Sequence, residues 1–490
     1  MNAPTTPTTR PNSTNLSAST DPVDTGDPSD ATGATDASDP TGPIDPQLLH
    51  DLLAHARRHG ATDGDVIAVA ATDSEVRVRM GEVEQVSRSE QHTVGLRLFV
   101  GRRSAIVSGN DLRRGALVAL VERGVAAARQ MDEDPDSRVA SVAELSEPVE
   151  DLALFDSEVA ALEMPALIDL ARRAEDAARA ADARIRNSEG GEASASSSTV
   201  RYATMAGSDR SRRGTSVGVV AVPVAVVGDD MEVDYWYASR RRLADLPAPE
   251  QIGQIAAKRV LRRLGTQPVA TGRFPVIFEA PVMSRVLADF ASAISGEAVA
   301  RKTSYLVDRL GSQVAHPSLT IVDNPHVDWG VASRSFDGEG FATRPTTVVA
   351  DGVLQTYLTN LRTAACIGTA HSRHASRGPA GPPGVSPSHF HLGNGDRTLA
   401  ELLREAGTGL LVTGMMGHGT DLVTGTFSQG VNGLWFVDGE VRHAVREITV
   451  AGSLDGLMRA IVARADDLDL FHGVSSPSVL VESMTVAGAG

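Results

Sequence analysis

The apolar residues of the first half of the chain follow two periods, one typical of helices and one typical of strands. From residue 46, Leu48 and Leu52 recur at helical spacing. Val76, Val78 and Met80 then alternate with charged residues, which is the pattern of a strand with one buried face. The N-terminal half therefore predicts a helix followed by β-structure.

Five candidate strands follow this first helix, and the glycines between them predict an antiparallel meander with turns at Met80-Gly81 and Val100-Gly101. They cover residues 65–70, 75–80, 83–86, 92–100 and 103–107. A helix capped by Asn110 or Asp111 is predicted up to residue 131, and a second one over 164–185. Three further strands (196–205, 215–227 and 232–238) and a helix over 249–264 complete this half.

The second half starts with a buried strand over 272–279 and a helix over 282–294, which Pro281 opens as first residue. Asp351-Gly352 predicts a hairpin inside 346–357. The Gly-, Pro-, Ser- and His-rich segment 368–395 is typical of a long polar loop. The remaining predicted elements are a strand over 319–323, helices over 398–406 and 454–464, and a final strand over 478–486.

Residues 413–454 have short apolar segments with a glycine near almost every turn. Asp438-Gly439 predicts a hairpin between two strands. Gly425, Gly430 and Gly433 are expected where a Cβ would obstruct a positive φ or a close backbone approach.

The order of these elements predicts an α+β fold with two domains, because 490 residues are too many for one ordinary core. Residues 46–268 are expected to form an N-terminal α/β domain with an antiparallel meander and long helices. Residues 269–490 are expected to form a β-rich C-terminal domain. Residues 1–45 are acidic and rich in Thr, Ser and Pro, and such a segment is expected to be disordered.

Charge and composition narrow the functional classes. A net charge of −16 repels phosphate backbones and disfavours nucleic-acid binding. The single cysteine, Cys366, excludes an intramolecular disulfide and fits a reducing compartment. No apolar run reaches the length of a membrane span, and no signal peptide is recognisable. A cytoplasmic protein without membrane association is expected.

Several motifs together resemble the TldD/PmbA metallopeptidase family, specifically its TldE (PmbA) branch. They are Val94-Gly-Leu-Arg-Leu-Phe-Val-Gly-Arg-Arg103, Ile294-Ser-Gly-Glu-Ala-Val-Ala300, Phe336-Asp-Gly-Glu-Gly340, Thr424–Glu440, Glu447–Leu454 and Pro477–Gly488. The similarity runs from about residue 46 to the end of the chain.

The resemblance implies a cytoplasmic zinc peptidase in which a TldD-type catalytic subunit pairs with a TldE-type chain. The TldD-type partner is expected to hold zinc through a His-Glu-x-x-x-His helix and a later cysteine, with the glutamate as general base. The implied substrates are unfolded or extended peptides, bound in a groove that reads the peptide backbone.

The present chain departs from that ligand set. Asp289 and Phe290 stand where the resemblance would place the His-Glu pair, and Ile294 where it would place the second histidine. Segment 471–476 has no cysteine. No catalytic, cofactor-binding or metal-binding residue is therefore assigned. The candidates for a peptide groove or a partner contact are His418, Thr424, Ser428 and Trp435.

Three hypotheses remain open from the sequence. The chain is a non-catalytic subunit that supports the active site of a TldD-type partner. Alternatively, it acts alone as a metallopeptidase through the histidines of the polar loop, His371, His374, His389 and His391, although such histidines are more commonly solvated. As a third possibility, it is a non-enzymatic peptide-binding or modulator protein that homodimerises.

Overall fold

The computed structural model describes residues 44–470 and 472–488. The predicted disordered tail lies outside the described residues except for residues 44 and 45. The α+β class is confirmed. The predicted domain boundary at residue 268 falls between a helix and a strand and stays a prediction.

Seven antiparallel strands form the sheet of the first half, in the order β3-β2-β1-β4-β5-β6 with β7 also paired to β5. They are β1 Asp63–Arg79, β2 Glu82–Val100, β3 Arg103–Gly109, β4 Ile185–Thr204, β5 Asp209–Val227, β6 Asp230–Val233 and β7 Trp236–Arg240. The accompanying helices are α1 Pro46–Arg58, α2 Arg114–Gln130, α3 Ser157–Ala160, α4 Met164–Ala180 and α5 Pro249–Leu261.

These helices pack their apolar sides on the sheet in two clusters. Leu49 and Leu53 of α1 meet Leu117 and Val121 of α2 over strands β1 and β2. Helices α4 and α5 cover the other end of the sheet, where Leu167 is fully buried. Burial of such side chains is the main favourable term for the fold.

The sequence predicts ten helices and strands in the second half, and the structure contains more elements there, many of them shorter. Its helices are α6 Ala280–Ala293, α7 Gly296–Ala300, α8 Leu361–Ile367, α9 Leu399–Ala406 and α10 Leu454–Arg459. Its strands are β8 Gly272–Phe278, β9 Ile321–Asp323, β10 Thr346–Ala350, β11 Val353–Leu354, β12 Ala375–Ser376, β13 Gly384–Val385, β14 Phe390–Leu392, β15 Gly409–Met416, β16 Thr420–Asp421, β17 Thr426–Val437, β18 Glu440–Ser453, β19 Ile461–Arg464, β20 Val474–Ser475 and β21 Val479–Ala487.

Five of these strands close into a ring. β15 pairs with β8 and β17, β8 pairs with β21, and β18 pairs with both β21 and β17. Closure satisfies both edges of each of these strands over part of its length, so the ring offers little free edge to an incoming strand. A second sheet, in the order β11-β10-β9-β14-β20, ends on β20.

The predicted hairpin turns are confirmed. Asp351 and Gly352 have φ of 50° and 76°, and Asp438 and Gly439 have φ of 53° and 75°. Two consecutive positive φ angles are what a two-residue turn of this hand needs. Met80-Gly81 turns in the same way between β1 and β2.

Two of the three glycine expectations in 413–454 are confirmed. Gly425 has φ of 73°, and a Cβ on Gly433 would lie 2.4 Å from the carbonyl oxygen of Leu411. At Gly430 the expectation was wrong, since a Cβ there would meet only ordinary van der Waals neighbours at 3.5 Å or more.

Three local predictions were also wrong. Helix α2 starts after Arg113 without a side-chain cap, so neither Asn110 nor Asp111 caps it. The helix predicted over 454–464 ends at Arg459, because Ile461–Arg464 pairs with β21 instead. The predicted polar loop contains three short strands: β12 and β13 pair with each other, and β14 pairs with the distant strands β9 and β20. Within the described residues, no helix has the length and apolar character needed to cross a membrane.

Candidate functional site

A cleft of about 460 Å³ runs along one side of helix α6. Pro281, predicted as the first residue of this helix, is its second residue. The apolar face of the helix, including Met283 and Leu287, is fully buried in the largest core cluster. The opposite face leaves small side chains toward the cleft. The lining residues are Ala288, Ala291, Ser292, Ser295, Glu297, Ala298, Arg301, Thr303, Leu358, Val385, Pro387 and Val474.

Strand β20 forms the far wall of the cleft. The backbone N–H of Ser476 donates to Oγ of Ser284 on α6 at 3.0 Å, which ties the segment after β20 to the helix. Val474 reaches the cleft itself. On its other side β20 pairs with β14, through Phe390 and Val474. Val474 and Ser476, in the segment expected to lack the third zinc ligand, therefore lie beside α6.

The three positions compared with a zinc motif, two in the last turns of α6 and one directly after it, do not share one environment. Phe290 and Ile294 are fully buried in the core. Asp289 accepts a hydrogen bond from Oγ1 of Thr420 at 2.6 Å. The side chains that face the cleft one turn apart are instead Ala288 and Ser292.

The residues of this cleft do not fit a zinc ion. Alanine offers no donor atom, serine is not among the usual zinc ligands, and Val474 closes the opposite wall. A carboxylate, Glu297, and a guanidinium, Arg301, lie at the cleft margin. They give the cleft polar groups able to hold a peptide backbone or a partner side chain, but no metal site.

The four predicted groove residues lie near one another in sequence but not in one pocket. His418 is exposed in the loop between β15 and β16, and Thr424 and Ser428 are exposed near the start of β17. Trp435 is half-buried and packs edge-on against Phe274, with ring centroids 4.9 Å apart. Ser428 and Trp435 are seven positions apart along the strand, a distance of roughly 23 Å. None of the four lines the α6 cleft, and their role stays a prediction.

The loop that carries His418 is nevertheless held against α6. Arg285 of α6 donates to the carbonyl oxygen of Met415 at 3.1 Å and also to that of Gly417. Gln429 donates to the carbonyl oxygen of Met416 at 2.8 Å. The exposed His418 therefore sits on a backbone fixed from two sides.

The histidines of segment 368–395 are not the solvated group that was expected. His374 is buried, with Nε2 3.1 Å from Oδ2 of Asp323 and Nδ1 2.9 Å from Oγ of Ser372. His389 is also buried, and its Nε2 accepts from the N–H of Ala332 at 3.2 Å. Burial lowers the pKa of His389.

These histidines do not converge either. In the part of the chain that the structure describes, the only set of three ligand-type side chains close enough to share one ion is His55, His59 and Glu122, on α1 and α2. Cys366 is exposed and donates to Oδ2 of Asp136 at 3.3 Å. The described residues thus give no support to a metal site built from the loop histidines.

Sequence reasoning missed a buried network of charges between the first-half sheet and the polar loop. Asp65 of β1 accepts from Nε of Arg97 at 3.2 Å and from the hydroxyl of Tyr202 at 3.2 Å. Arg377 donates to the same carboxylate. Nη1 of Arg97 also lies 3.5 Å from Oε1 of Glu339. These charged residues are far apart in the sequence, and their contacts join the first-half sheet to the second half of the chain.

The motif around Glu339 has a visible structural role in this network. Oδ1 of Asp337 accepts the backbone N–H groups of Glu339 and Phe341 at 2.9 and 3.1 Å. Gly340 has φ of 87°, and a Cβ there would lie 2.5 Å from the ring of Tyr202. The turn can therefore form only with glycine at this position. Two of the motifs quoted from the sequence contribute to this network, since Glu339 lies in Phe336–Gly340 and Arg97 lies in Val94–Arg103.

The network contains groups with shifted pKa values. Burial raises the pKa of Glu339 to about 7, the charge of Asp337 adds to this rise, and Arg97 opposes it. Burial likewise raises the pKa of Asp337. The nearby His371, 3.6 Å from Oδ2 of Asp337, has its pKa lowered to about 4 by burial and by neighbouring cations. Asp65 is different, because Arg377 and Arg97 outweigh burial and lower its pKa.

A group of aromatic side chains lies on another part of the surface. Tyr235 and Tyr237 are exposed and their rings stack 6.3 Å apart. Tyr237 also meets His472 edge-on at 5.4 Å. Trp236 points the other way and lies under the guanidinium of Arg259 at 5.2 Å. Of these three side chains, the two tyrosines are exposed and Trp236 is half-buried.

Comparison with known families gives matches along most of the chain. The PmbA/TldA metallopeptidase domain 1 matches residues 64–128, the central domain of the same family matches 157–264, and its C-terminal domain matches 271–488.

Relatives of known sequence agree with this match. The chain is 33% identical to the metalloprotease PmbA of Escherichia coli O157:H7 over 430 residues, which cover 88% of this chain and 93% of the relative. It is also 33% identical to the metalloprotease PmbA homologue of Haemophilus influenzae over 435 residues, covering 88% and 94%.

Solved structures share the fold. A protein of Bacteroides thetaiotaomicron described as a proposed modulator of DNA gyrase superposes with a TM-score of 0.84 at 26% identity, covering 90% of this chain and 98% of that one. TldE from Thermococcus kodakarensis superposes with a TM-score of 0.80 at 18% identity, covering 90% and 100%. The latter likeness concerns the fold alone.

Proposed function

The chain belongs to the PmbA/TldD metallopeptidase family, in its PmbA (TldE) branch, and we propose that it is the subunit without the catalytic zinc ion in a two-subunit cytoplasmic zinc peptidase. In this proposal a TldD-type partner holds the zinc ion and carries out hydrolysis. The present chain completes the binding surface for unfolded or extended peptides.

One observation carries the proposal. The α6 helix and the segment around β20 come together as a cleft, but its facing side chains are Ala288, Ser292 and Val474. Ligand-type side chains are absent from the lining apart from Glu297. Zinc hydrolases need three protein ligands and a free position for water, so this cleft supports binding rather than metal chemistry.

The walls of the cleft suit an extended peptide. β20 is the last strand of its sheet, so one of its edges is not paired within that sheet. Glu297 and Arg301 at the margin supply one negative and one positive charge for backbone or terminal groups. Strand addition next to small side chains recognises backbone rather than sequence, which matches a substrate class defined by its unfolded state.

The hypothesis that the chain acts alone through its loop histidines has less support. His374 and His389 are engaged in separate contacts with Asp323 and with Ala332. His371 lies in the buried network instead, near Asp337. Three histidines in three environments do not make an open metal site.

Reconstitution tests the proposal. Peptide hydrolysis of an unstructured reporter peptide is measured for the purified chain, for a TldD-type partner from the same genome, and for their mixture. Activity is expected in the mixture, together with co-elution of the two chains in size exclusion. Hydrolysis by the present chain alone would overturn the proposal, and failure to associate with the partner would favour the non-enzymatic homodimer.

A further inference from the structure

A cluster of three ligand-type side chains joins helices α1 and α2. His55 lies in the last turn of α1 and His59 directly follows the helix, with ring centroids 4.2 Å apart. Oε1 of Glu122 on α2 lies 3.7 Å from Nε2 of His55 and 3.4 Å from Nε2 of His59. The three ligand atoms are all within 4.8 Å of one another.

These separations match the size of a metal coordination shell. In a tetrahedral site with bonds of about 2.1 Å, neighbouring ligand atoms lie about 3.4 Å apart. The two distances from Oε1 of Glu122, 3.4 and 3.7 Å, are close to this value. Two histidines one helical turn apart are a recurring way to present imidazole nitrogens on one face. The cluster could therefore accept an ion with only small side-chain adjustments.

The ring of His59 is oriented as in known metal sites. Its Nδ1 lies 3.1 Å from the carbonyl oxygen of His55, so an Nδ1–H donates there and leaves the lone pair of Nε2 toward Glu122. Nε2 of His55 is buried and has no hydrogen-bond partner. A buried nitrogen without a partner, aimed at a carboxylate and a second imidazole, is what an absent cation would satisfy.

Some of the neighbouring charges and dipoles favour a bound cation, and others oppose it. The end of α1 carries the negative pole of the helix dipole, and Glu122 adds a full negative charge; both favour a cation. Arg129 opposes it, with Nη2 2.6 Å from the carbonyl oxygen of His59. Arg58 also opposes it, since its Nη2 lies 3.4 Å from Nδ1 of His55. Arg58 is exposed and can turn away when Nδ1 becomes protonated on metal binding.

We propose that His55, His59 and Glu122 form a binding site for a divalent transition-metal ion such as zinc, with water in the fourth position. The ion would fasten α1 to α2. Helix α1 packs on the first-half core through Leu49 and Leu53, so the site would stabilise that packing. None of its residues lines the α6 cleft, and the inference does not rest on the proposed function.

The test uses the full chain purified without a histidine tag. Zinc binding is measured by isothermal titration, and cobalt binding by the visible absorption of a four-coordinate ion. One ion per chain is expected. The variants His59→Ala and Glu122→Gln are expected to bind roughly tenfold more weakly or worse, because each loses a ligand. Circular dichroism verifies that both exposed substitutions leave the fold intact.

His50→Ala is the matched control. His50 lies on the same helix and pairs with Asp209 at 3.6 Å, but it is outside the cluster. The control is expected to bind zinc as the wild type does, and zinc should raise the melting temperature of both but not of His59→Ala. Equal affinity of His59→Ala and the wild type, or equal weakening by His50→Ala, would overturn the proposal.

Discussion

Arg377 and Asp65 are 312 residues apart, yet the guanidinium of Arg377 donates directly to the carboxylate of Asp65, and neither side chain is exposed to solvent. Asp65 lies in strand β1 and Arg377 follows the short strand β12. The pair thus fastens the polar segment of the second half onto the first-half sheet. Tyr202 and Arg97 complete the hydrogen bonds of the carboxylate.

Replacing Arg377 by methionine is expected to destabilise the protein by about 1–3 kcal/mol, because the buried carboxylate of Asp65 loses one of its two guanidinium partners and keeps only Arg97. Chemical unfolding or calorimetry measures the change. Arg113→Ala is the control, since Arg113 is exposed and pairs with Asp111 on the surface. No measurable loss is expected there. Equal effects of the two substitutions would contradict a structural role of the buried pair.

Glu339→Gln is expected to change how stability depends on pH. The folded-state pKa of Glu339 is about 7, above the ordinary value of 4.5. Between these values the folded state holds the proton more tightly than the unfolded chain, so the contribution of this group to stability falls as pH rises from about 4.5 to 7. Glutamine stays neutral and removes that loss.

The difference in melting temperature between Glu339→Gln and the wild type is therefore expected to grow in favour of the variant from pH 5 to pH 7.5. The variant and the wild type must be compared at each pH, because His371 changes the pH dependence of stability in the opposite direction to Glu339. Its folded-state pKa of about 4 lies below the ordinary 6.5, so its contribution is present at neutral pH and is lost as pH falls. A difference that does not vary with pH would contradict the assignment.

Gly95→Ala is expected to destabilise the protein by about 1–3 kcal/mol through overpacking. A Cβ at Gly95 in strand β2 would lie 1.8 Å from the carbonyl oxygen of Pro379, where the polar segment rests on the sheet. Gly115→Ala is the control, because nothing lies within 4 Å of its Cβ position on α2. The control is expected to be neutral or slightly stabilising. Thermal unfolding of both variants measures the change. Equal melting temperatures would contradict a close contact between Gly95 and Pro379.

Ser292→Trp is expected to abolish most of the hydrolysis by the reconstituted two-chain enzyme, since the indole would fill the α6 cleft. Ser292 is exposed, so the melting temperature of the chain should change little. Ala126→Trp adds the same ring on the exposed side of α2, away from the cleft, and should leave hydrolysis unchanged. Full activity of Ser292→Trp would show that the cleft does not take part in peptide binding.

The order of hydrophobic, polar and turn residues predicted much of the local structure. The predictions that were wrong have physical reasons. The hairpin at Asp438-Gly439 follows from two residues that tolerate positive φ, so neighbours along the chain suffice to predict it. Ile461–Arg464 looked helical, but pairing with β21 outweighed local preference. His374 looked solvated within a polar segment, but its partner Asp323 lies 51 residues away.

The sequence by itself determined most of the helices, strands and turns, the family motifs, and the residue types present at α6. These features depend on neighbouring positions or on composition. Only the tertiary structure decided which face of α6 borders the cleft, and which charges meet in the interior. Periodicity alone did not distinguish the core-facing Phe290 from the cleft-facing Ser292. Contacts such as Arg377 with Asp65 depend on how sheets and loops pack, and no local pattern encodes that distance.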